Sequence, residues 1–192
     1  MSKKLITRCL VLSLLLIAST GCSLRTGGAV LEEIRANPGA GHFIEGVPFF
    51  PQDEQMCGPA ALASVMGYYG AGSGMEAVAA RVYEERLKGT LPVDLLIYAK
   101  EKGFRAQYYR GSLEDLKERL SEDKPLILFL NLGIPEYPVG HYIVAVGYND
   151  RVKAVVAHSG VHREKVYSYR GLLKHWGKTG FSTLLITPEE DL

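Results

Sequence analysis

The hydrophobic pattern changes its period about half-way along the chain, and this change constrains the fold more than any other feature. Before the change, apolar residues recur every three or four positions, which predicts helices over 58–69, 75–83, 93–102 and a segment capped by Ser112. One short strand is predicted among them, at 104–109. After the change, short apolar runs between turn residues predict strands over 125–132, 141–148, 153–158, 165–169 and 181–187. Helices followed by an antiparallel sheet indicate an α+β domain.

The first 22 residues have the pattern of an export signal rather than of a folded segment. Lys3, Lys4 and Arg8 precede an apolar run over 9–18, which is too short to span a membrane comfortably. The run ends in Ser19-Thr20-Gly21-Cys22, which resembles a bacterial lipobox. The resemblance implies that Cys22 carries lipid and becomes the first residue of the mature protein. Two alternatives are a simple signal peptide cut nearby and an uncleaved anchor.

This pattern divides the chain into three parts. We expect a lipoprotein signal peptide over 1–21, the lipidated cysteine and a polar tether over 22–42, and one folded domain over 43–192. Ser23, and not aspartate, follows the cysteine, which resembles an outer-membrane sorting signal of Gram-negative lipoproteins. The expected location is therefore the outer membrane, with the domain facing the periplasm.

The charge balance makes nucleic acid an unexpected partner. The chain has 22 basic and 21 acidic residues, and three of the basic residues leave with the signal. The mature chain is then slightly acidic, without the basic stripe that nucleic-acid binding needs.

Of the three cysteines in the chain, one is a candidate for a catalytic role. Cys9 lies in the signal and Cys22 in the lipobox, so Cys57 has no partner for a disulfide. Cys57 lies at the start of the predicted helix at 58–69. A helix N-terminus favours the thiolate form, so Cys57 is a candidate nucleophile. The alternative is an inert buried thiol.

His141 is the candidate base, because it opens a predicted strand that would pack against the helix of Cys57. The alternative is that His141 is a histidine at the edge of the sheet without a catalytic role. A thiol and an imidazole together are the minimum apparatus for attack on a carbonyl carbon.

Two stretches of this chain resemble the bacteriocin-processing (C39) group of papain-like cysteine peptidases. The resemblance runs from about residue 46 to about residue 160. It rests on Gln52 with Cys57-Gly58-Pro59-Ala60-Ala61-Leu62-Ala63, and on His141-Tyr142-Ile143-Val144-Ala145-Val146-Gly147-Tyr148. It implies a papain-like fold, in which N-terminal helices pack on a C-terminal antiparallel sheet.

The same resemblance implies roles for single residues. Cys57 is the nucleophile, and His141 is first the general base and then the acid. Gln52 and the backbone N–H of Cys57 form the oxyanion hole, with Gln55 as the alternative for the glutamine. In the family this glutamine commonly lies six residues before the cysteine, whereas Gln52 lies five before it.

The third catalytic residue is where this chain departs from the family, which usually has an aspartate on the strand after the histidine strand. No carboxylate lies in 155–160, and Asn149 is about 26 Å along the strand from His141. A two-residue loop at 150–151 would place His158 opposite Ile143, and so diagonally beside His141. We therefore predict that His158 orients His141. The alternative is a sheet histidine without a role.

The predicted function is that of a lipid-anchored cysteine peptidase or amide hydrolase, acting through a thioester outside the cytoplasm on a peptide or protein substrate. The alternatives are a non-catalytic peptide-binding module with a papain-like groove, and an acyl or amide transferase. The chain has no Walker motif for ATP. We expect no cofactor, and the histidines outside the site form no zinc-binding pattern; they are His42, His162 and His175.

Overall fold

The computed structural model describes residues 27–53, 55–72 and 74–189. The helices are α1 Gly27–Ala36, α2 Cys57–Tyr68, α3 Met75–Val82, α4 Pro92–Glu101, α5 Leu113–Ser121 and α6 Tyr169–Gly177. The strands are β1 Gly41–Phe43, β2 Phe104–Arg110, β3 Leu126–Asn131, β4 Gly140–Asn149, β5 Ala154–Ser159, β6 His162–Ser168 and β7 Ser182–Pro188. The predicted signal peptide and the predicted lipidation site at Cys22 lie outside these residues.

The strands form one antiparallel sheet in the order β2-β7-β3-β4-β5-β6, and β1 pairs with the far end of β4. The central strands β3, β4 and β5 are almost wholly buried. They are the continuous apolar runs of the sequence, as expected of strands that are covered on both faces. The predicted α+β, papain-like arrangement of helices on an antiparallel sheet is confirmed.

Helix α2 is buried along most of its length and packs on β4. Small residues allow this close approach, and Leu62, Val65 and Met66 are fully buried. The N-terminus of the helix reaches the sheet at the start of β4, where His141 lies. The packing of one helix on one strand therefore brings the candidate nucleophile and the candidate base to the same end of the domain.

Residues 27–43 belong to the folded domain, so the prediction that the tether extends to residue 42 is wrong. Val30, Leu31 and Ile34 on α1 are buried against the sheet, and β1 pairs with Gly147, Tyr148 and Asn149 on β4. The spacing of the three apolar residues is helical and matches one buried face.

The β4–β5 hairpin differs from the prediction in two ways. Its loop has four residues, 150–153, because Asn149 pairs with Ala154 and its Oδ1 accepts the Val152 N–H at 3.0 Å. In addition, a β-bulge lies between Ala145 and Gly147, so one extra residue interrupts the pairing of β4. A loop longer by two residues leaves each side chain of β5 on the predicted face of the sheet. The bulge shifts the pairing by one residue, so beyond it the side chains of β5 lie on the opposite face relative to those of β4.

None of the helices over residues 27–53, 55–72 and 74–189 is long and apolar enough to cross a membrane.

Candidate active site

Cys57 is the first residue of α2, and its side chain lies against the beginning of β4. Its Sγ accepts a hydrogen bond from the backbone N–H of Tyr142 at 3.5 Å. The residue is only 5% exposed. Tyr142 follows His141 directly in the chain, so the sulfur is held beside the backbone of the candidate base.

Burial raises the pKa of the Cys57 thiol and is the largest influence on it. The backbone N–H groups of Tyr142, Gly58 and Cys57 itself lower this pKa, while the carboxylate of Asp53 raises it. The amide groups at the helix N-terminus thus favour the thiolate as expected, but burial outweighs them and the pKa of the thiol is raised overall. The cost of burying a charge exceeds the stabilisation by the amide groups.

His141 is held by a chain of two hydroxyl groups. Its Nε2 lies 2.9 Å from Ser159 Oγ, and Ser159 Oγ lies 2.8 Å from Tyr167 Oη. Burial, and to a lesser extent the nearby ammonium group of Lys165, lower the pKa of His141 from 6.5 to about 4. With Nε2 bound to Ser159, the ring nitrogen that remains for Cys57 is Nδ1.

His158 does not orient His141, so that prediction is wrong. The bulge places His158 opposite Val144, whereas the prediction had placed it opposite Ile143. Both ring nitrogens have other partners, since Nε2 bonds to Val47 O at 3.1 Å and Nδ1 accepts the Glu164 N–H at 3.3 Å. His158 instead ties the segment before α2 to the β5–β6 hairpin.

The site is closed and uncharged in this structure. Within the described part of the chain, no hydrogen bond joins the Cys57 thiol directly to the His141 ring. The space beside Cys57 is about 10 Å³, which is close to the minimum for one water molecule. Phe49, Phe50 and Gln52 form one wall of this space. The space as it stands is therefore too small for a substrate beside the sulfur.

Gln52 borders the sulfur, whereas Gln55 points away from it. In the orientation that satisfies its hydrogen bonds, Gln52 Nε2 donates to Gly160 O at 2.7 Å and to Phe50 O. Gln55 Oε1 accepts the Tyr83 hydroxyl at 2.8 Å, and the side chain is exposed. The position of Gln52 is thus compatible with the predicted oxyanion role, which stays a prediction.

The family model described as Peptidase_C39 like matches residues 44–184, which include α2 and the strands from β2 to β6. The chain belongs to the Peptidase_C39 like family. This match confirms the predicted enzyme class, a C39-like cysteine peptidase. A search of curated proteins gave no match.

Solved structures of C39-like domains share the fold of this family member. A double-glycine-motif protease from an AMS/PCAT transporter, solved with its leader peptide, is 23% identical with a TM-score of 0.62, covering 77% of this chain and 95% of that one. A C39-like peptidase from Bacillus anthracis is 15% identical with a TM-score of 0.65, covering 79% and 99%. The peptidase domain of Streptococcus ComA is 22% identical with a TM-score of 0.60, covering 75% and 100%.

Ser159 and Tyr167 are the residues of this C39-like site that the sequence reasoning missed. Ser159 follows His158 directly, and its register relative to His141 depends on the bulge. Tyr167 lies on β6 opposite Val155, on the same face of the sheet as Ser159. Three tyrosines occur over 148–169, and the sequence has no signal that distinguishes Tyr167 from the other two.

Proposed function

We propose that this C39-like peptidase hydrolyses peptide or amide bonds through a thioester on Cys57. One observation carries the proposal. The Cys57 sulfur accepts the backbone N–H of Tyr142, and the neighbouring His141 has its Nε2 bound to Ser159, which leaves Nδ1 as the ring nitrogen available for a proton. We propose that a small movement on substrate binding brings the thiol and the imidazole, which already lie at the same end of the domain, into the contact that a cysteine nucleophile and its base require.

The reaction begins from the neutral pair. Cys57 Sγ attacks the carbonyl carbon as its proton passes to His141 Nδ1, and the imidazolium then protonates the leaving amine. Water attacks the thioester with His141 again as the base, which releases the acid and restores the thiol. Because burial disfavours both charged forms, we propose that proton transfer accompanies the attack and that no stable ion pair precedes it.

The oxyanion of each tetrahedral intermediate needs hydrogen-bond donors next to the sulfur. The backbone N–H groups of Cys57 and Gly58 at the start of α2 lower the pKa of the thiol, and we propose that they are two of these donors. Gln52 would add a side-chain donor after releasing one of the two carbonyl groups that it now bonds. We propose that the movement that admits the substrate also frees this donor.

A peptide is the proposed substrate class. The double-glycine-motif protease described above was solved with its leader peptide bound, which supports peptide recognition by this fold. We do not propose double-glycine specificity for this chain, because the lipid anchor expected from the sequence would hold the domain outside the cytoplasm.

A peptide library tests the proposed activity. The full chain, purified in detergent, is incubated with a complex peptide mixture, and new termini are identified by mass spectrometry. We expect defined cleavages that disappear in Cys57→Ser and His141→Ala while the circular dichroism spectrum is unchanged. Binding of peptides without cleavage would favour the non-catalytic module. Products joined to an added amine in place of free acids would favour a transferase.

We further propose that Cys22 is lipidated and anchors the domain on the periplasmic side of the outer membrane. The support is the sequence pattern of basic residues, apolar run and lipobox-like ending described above. Radiolabelled palmitate should be incorporated into the wild type and into Cys9→Ala, but not into Cys22→Ala. Labelling that survives Cys22→Ala would contradict the assignment.

A further inference from the structure

We infer that Tyr167 is a positioning residue that acts on His141 through Ser159, so that two neutral hydroxyl groups do the work of a catalytic carboxylate. The inference rests on the proposed function. Its geometric basis is the continuous chain His141 Nε2, Ser159 Oγ and Tyr167 Oη, with links of 2.9 Å and 2.8 Å. Ser159 is almost completely buried, so water does not compete for this bond.

A serine alone is a poor substitute for a carboxylate in this position, because it can bond His141 in two ways. A carboxylate only accepts hydrogen bonds, which forces the hydrogen of a neutral ring onto Nε2. A serine can instead donate its own hydrogen to Nε2. The ring hydrogen would then lie on Nδ1, where His141 could not accept the proton of Cys57.

Tyr167 resolves this ambiguity by accepting the hydrogen of Ser159. When the serine hydroxyl donates to Tyr167 Oη, its lone pairs face His141 and accept the Nε2 hydrogen. The ring then presents an unprotonated Nδ1 to Cys57. Tyr167 itself is half-buried, and its hydroxyl hydrogen can be donated to water.

The hydroxyl group of Tyr167 has this role separately from its ring. Tyr167 packs against the core, and Lys165 Nζ lies 5.1 Å from the centre of its ring. Tyr167→Phe keeps the ring and removes only the Oη link. Tyr169→Phe is the matched control, because Tyr169 Oη bonds to Asp150 at 2.9 Å and is not part of the chain to His141.

The ring tautomer of His141 is the direct test, and it needs no substrate. Nitrogen-15 NMR of the labelled full chain at pH 7 should show the hydrogen of His141 on Nε2 in the wild type and in Tyr169→Phe. In Tyr167→Phe we expect a mixture with the Nδ1–H tautomer. An unchanged His141 tautomer in Tyr167→Phe would overturn the inference, as would a wild type with the hydrogen on Nδ1.

A double-mutant comparison tests whether Tyr167 acts through Ser159. Tyr167→Phe and Ser159→Ala should each lower kcat/KM by about two- to tenfold, the range for one net hydrogen bond. The double variant should be no slower than Ser159→Ala. In a Ser159→Asp background, Tyr167→Phe should leave the ring hydrogen of His141 on Nε2, because a carboxylate accepts that hydrogen bond without help from Tyr167. Additive losses in the double variant would contradict the relay.

These measurements separate failure of the relay from failure of the proposed function. A tautomer that responds to Tyr167→Phe in a protein that cleaves no peptide would support the relay and count against hydrolysis. Cleavage that depends on Cys57 and His141, together with a His141 tautomer that is unchanged in Tyr167→Phe, would support hydrolysis and overturn the relay.

Discussion

The backbone N–H of Tyr142 donates to Cys57 Sγ at 3.5 Å, so the sulfur is held by the residue next to His141. The hydrogen bond joins the first residue of α2 to the third residue of β4, which begins at Gly140. The relative positions of the nucleophile and the base are thus set by backbone contacts, which change little when side chains move. We expect the wall formed by Phe49, Phe50 and Gln52 to move when a substrate binds, because it borders the small space beside the sulfur.

Neutralising Asp53 should make Cys57 more reactive. Asp53 raises the pKa of the thiol, and its Oδ1 also accepts the N–H groups of Gln55 and Met56 before α2. Asp53→Asn can keep these bonds and removes the charge. Because Asp53 is exposed, we expect only about a twofold faster alkylation of Cys57 at pH 8 in low salt, with the difference lost near 1 M salt.

Glu101→Gln is the control for this charge effect, since Glu101 pairs with Arg81 on the surface. It should leave the alkylation rate unchanged. A slower reaction in Asp53→Asn would mean that its hydrogen bonds matter more than its charge, which would contradict the electrostatic explanation.

Gly58→Ala should destabilise the domain, because a methyl group at this position has no room. An added Cβ would lie 2.8 Å from the Cβ of Thr90, whose carbonyl accepts the Tyr142 hydroxyl at 3.0 Å. Overpacking of this kind costs about 1–3 kcal/mol, measured as the free energy of unfolding in urea. The control Gly28→Ala faces open space on α1 and should be neutral or stabilising.

Stability should fall as the pH is lowered from about 6.5 towards 4. The pKa of His141 is about 4 in the folded protein, whereas an unfolded histidine has a pKa of about 6.5. The unfolded chain therefore binds this proton first, and protonation favours unfolding across this window. Burial lowers the pKa of His158 as well, so it contributes in the same direction.

Urea titrations between pH 7 and pH 4 measure this effect. The full shift of His141 corresponds to about 3 kcal/mol, approached only near pH 4, so His141→Gln should show a weaker loss of stability with acid. His162→Gln is the control on the exposed end of β6. An identical pH dependence of the free energy of unfolding in His141→Gln and the wild type would contradict the claim that His141 is buried in its neutral form.

Much of the fold follows from the sequence, because local signals agree with tertiary packing. The predicted strand at 104–109 is found as Phe104–Arg110. Ser112 caps α5 by accepting the Asp115 N–H at 3.1 Å, as the capping pattern predicts. Cys57 and His141 meet because the helix and strand that carry them pack on each other, which their apolar periodicity already implies.

The orienting residue could not be predicted because it depends on a single extra residue in β4. The bulge between Ala145 and Gly147 reverses the faces of β5, so Ser159 takes the place that simple alternation gives to His158. Gly147 borders the bulge, and a glycine inside a strand often marks one, but Gly147 is also required by the close approach of Phe43, so it does not by itself locate the extra residue. The pKa of Cys57 was likewise not predictable, because burial depends on the whole packed domain whereas the helix N-terminus is a local feature.

Covalent labelling of Cys57 by a peptidyl acyloxymethyl ketone tests most directly whether Cys57 and His141 form the catalytic pair. The full chain is treated at pH 7, and the labelling rate is read from the mass of the peptide that contains Cys57. We expect His141→Ala to slow labelling by about 100-fold or more, the contribution of a general base. His158→Gln should stay within about threefold, because it loses at most a hydrogen bond away from the sulfur. Labelling of His141→Ala at the wild-type rate, or equal losses in the two variants, would contradict the account.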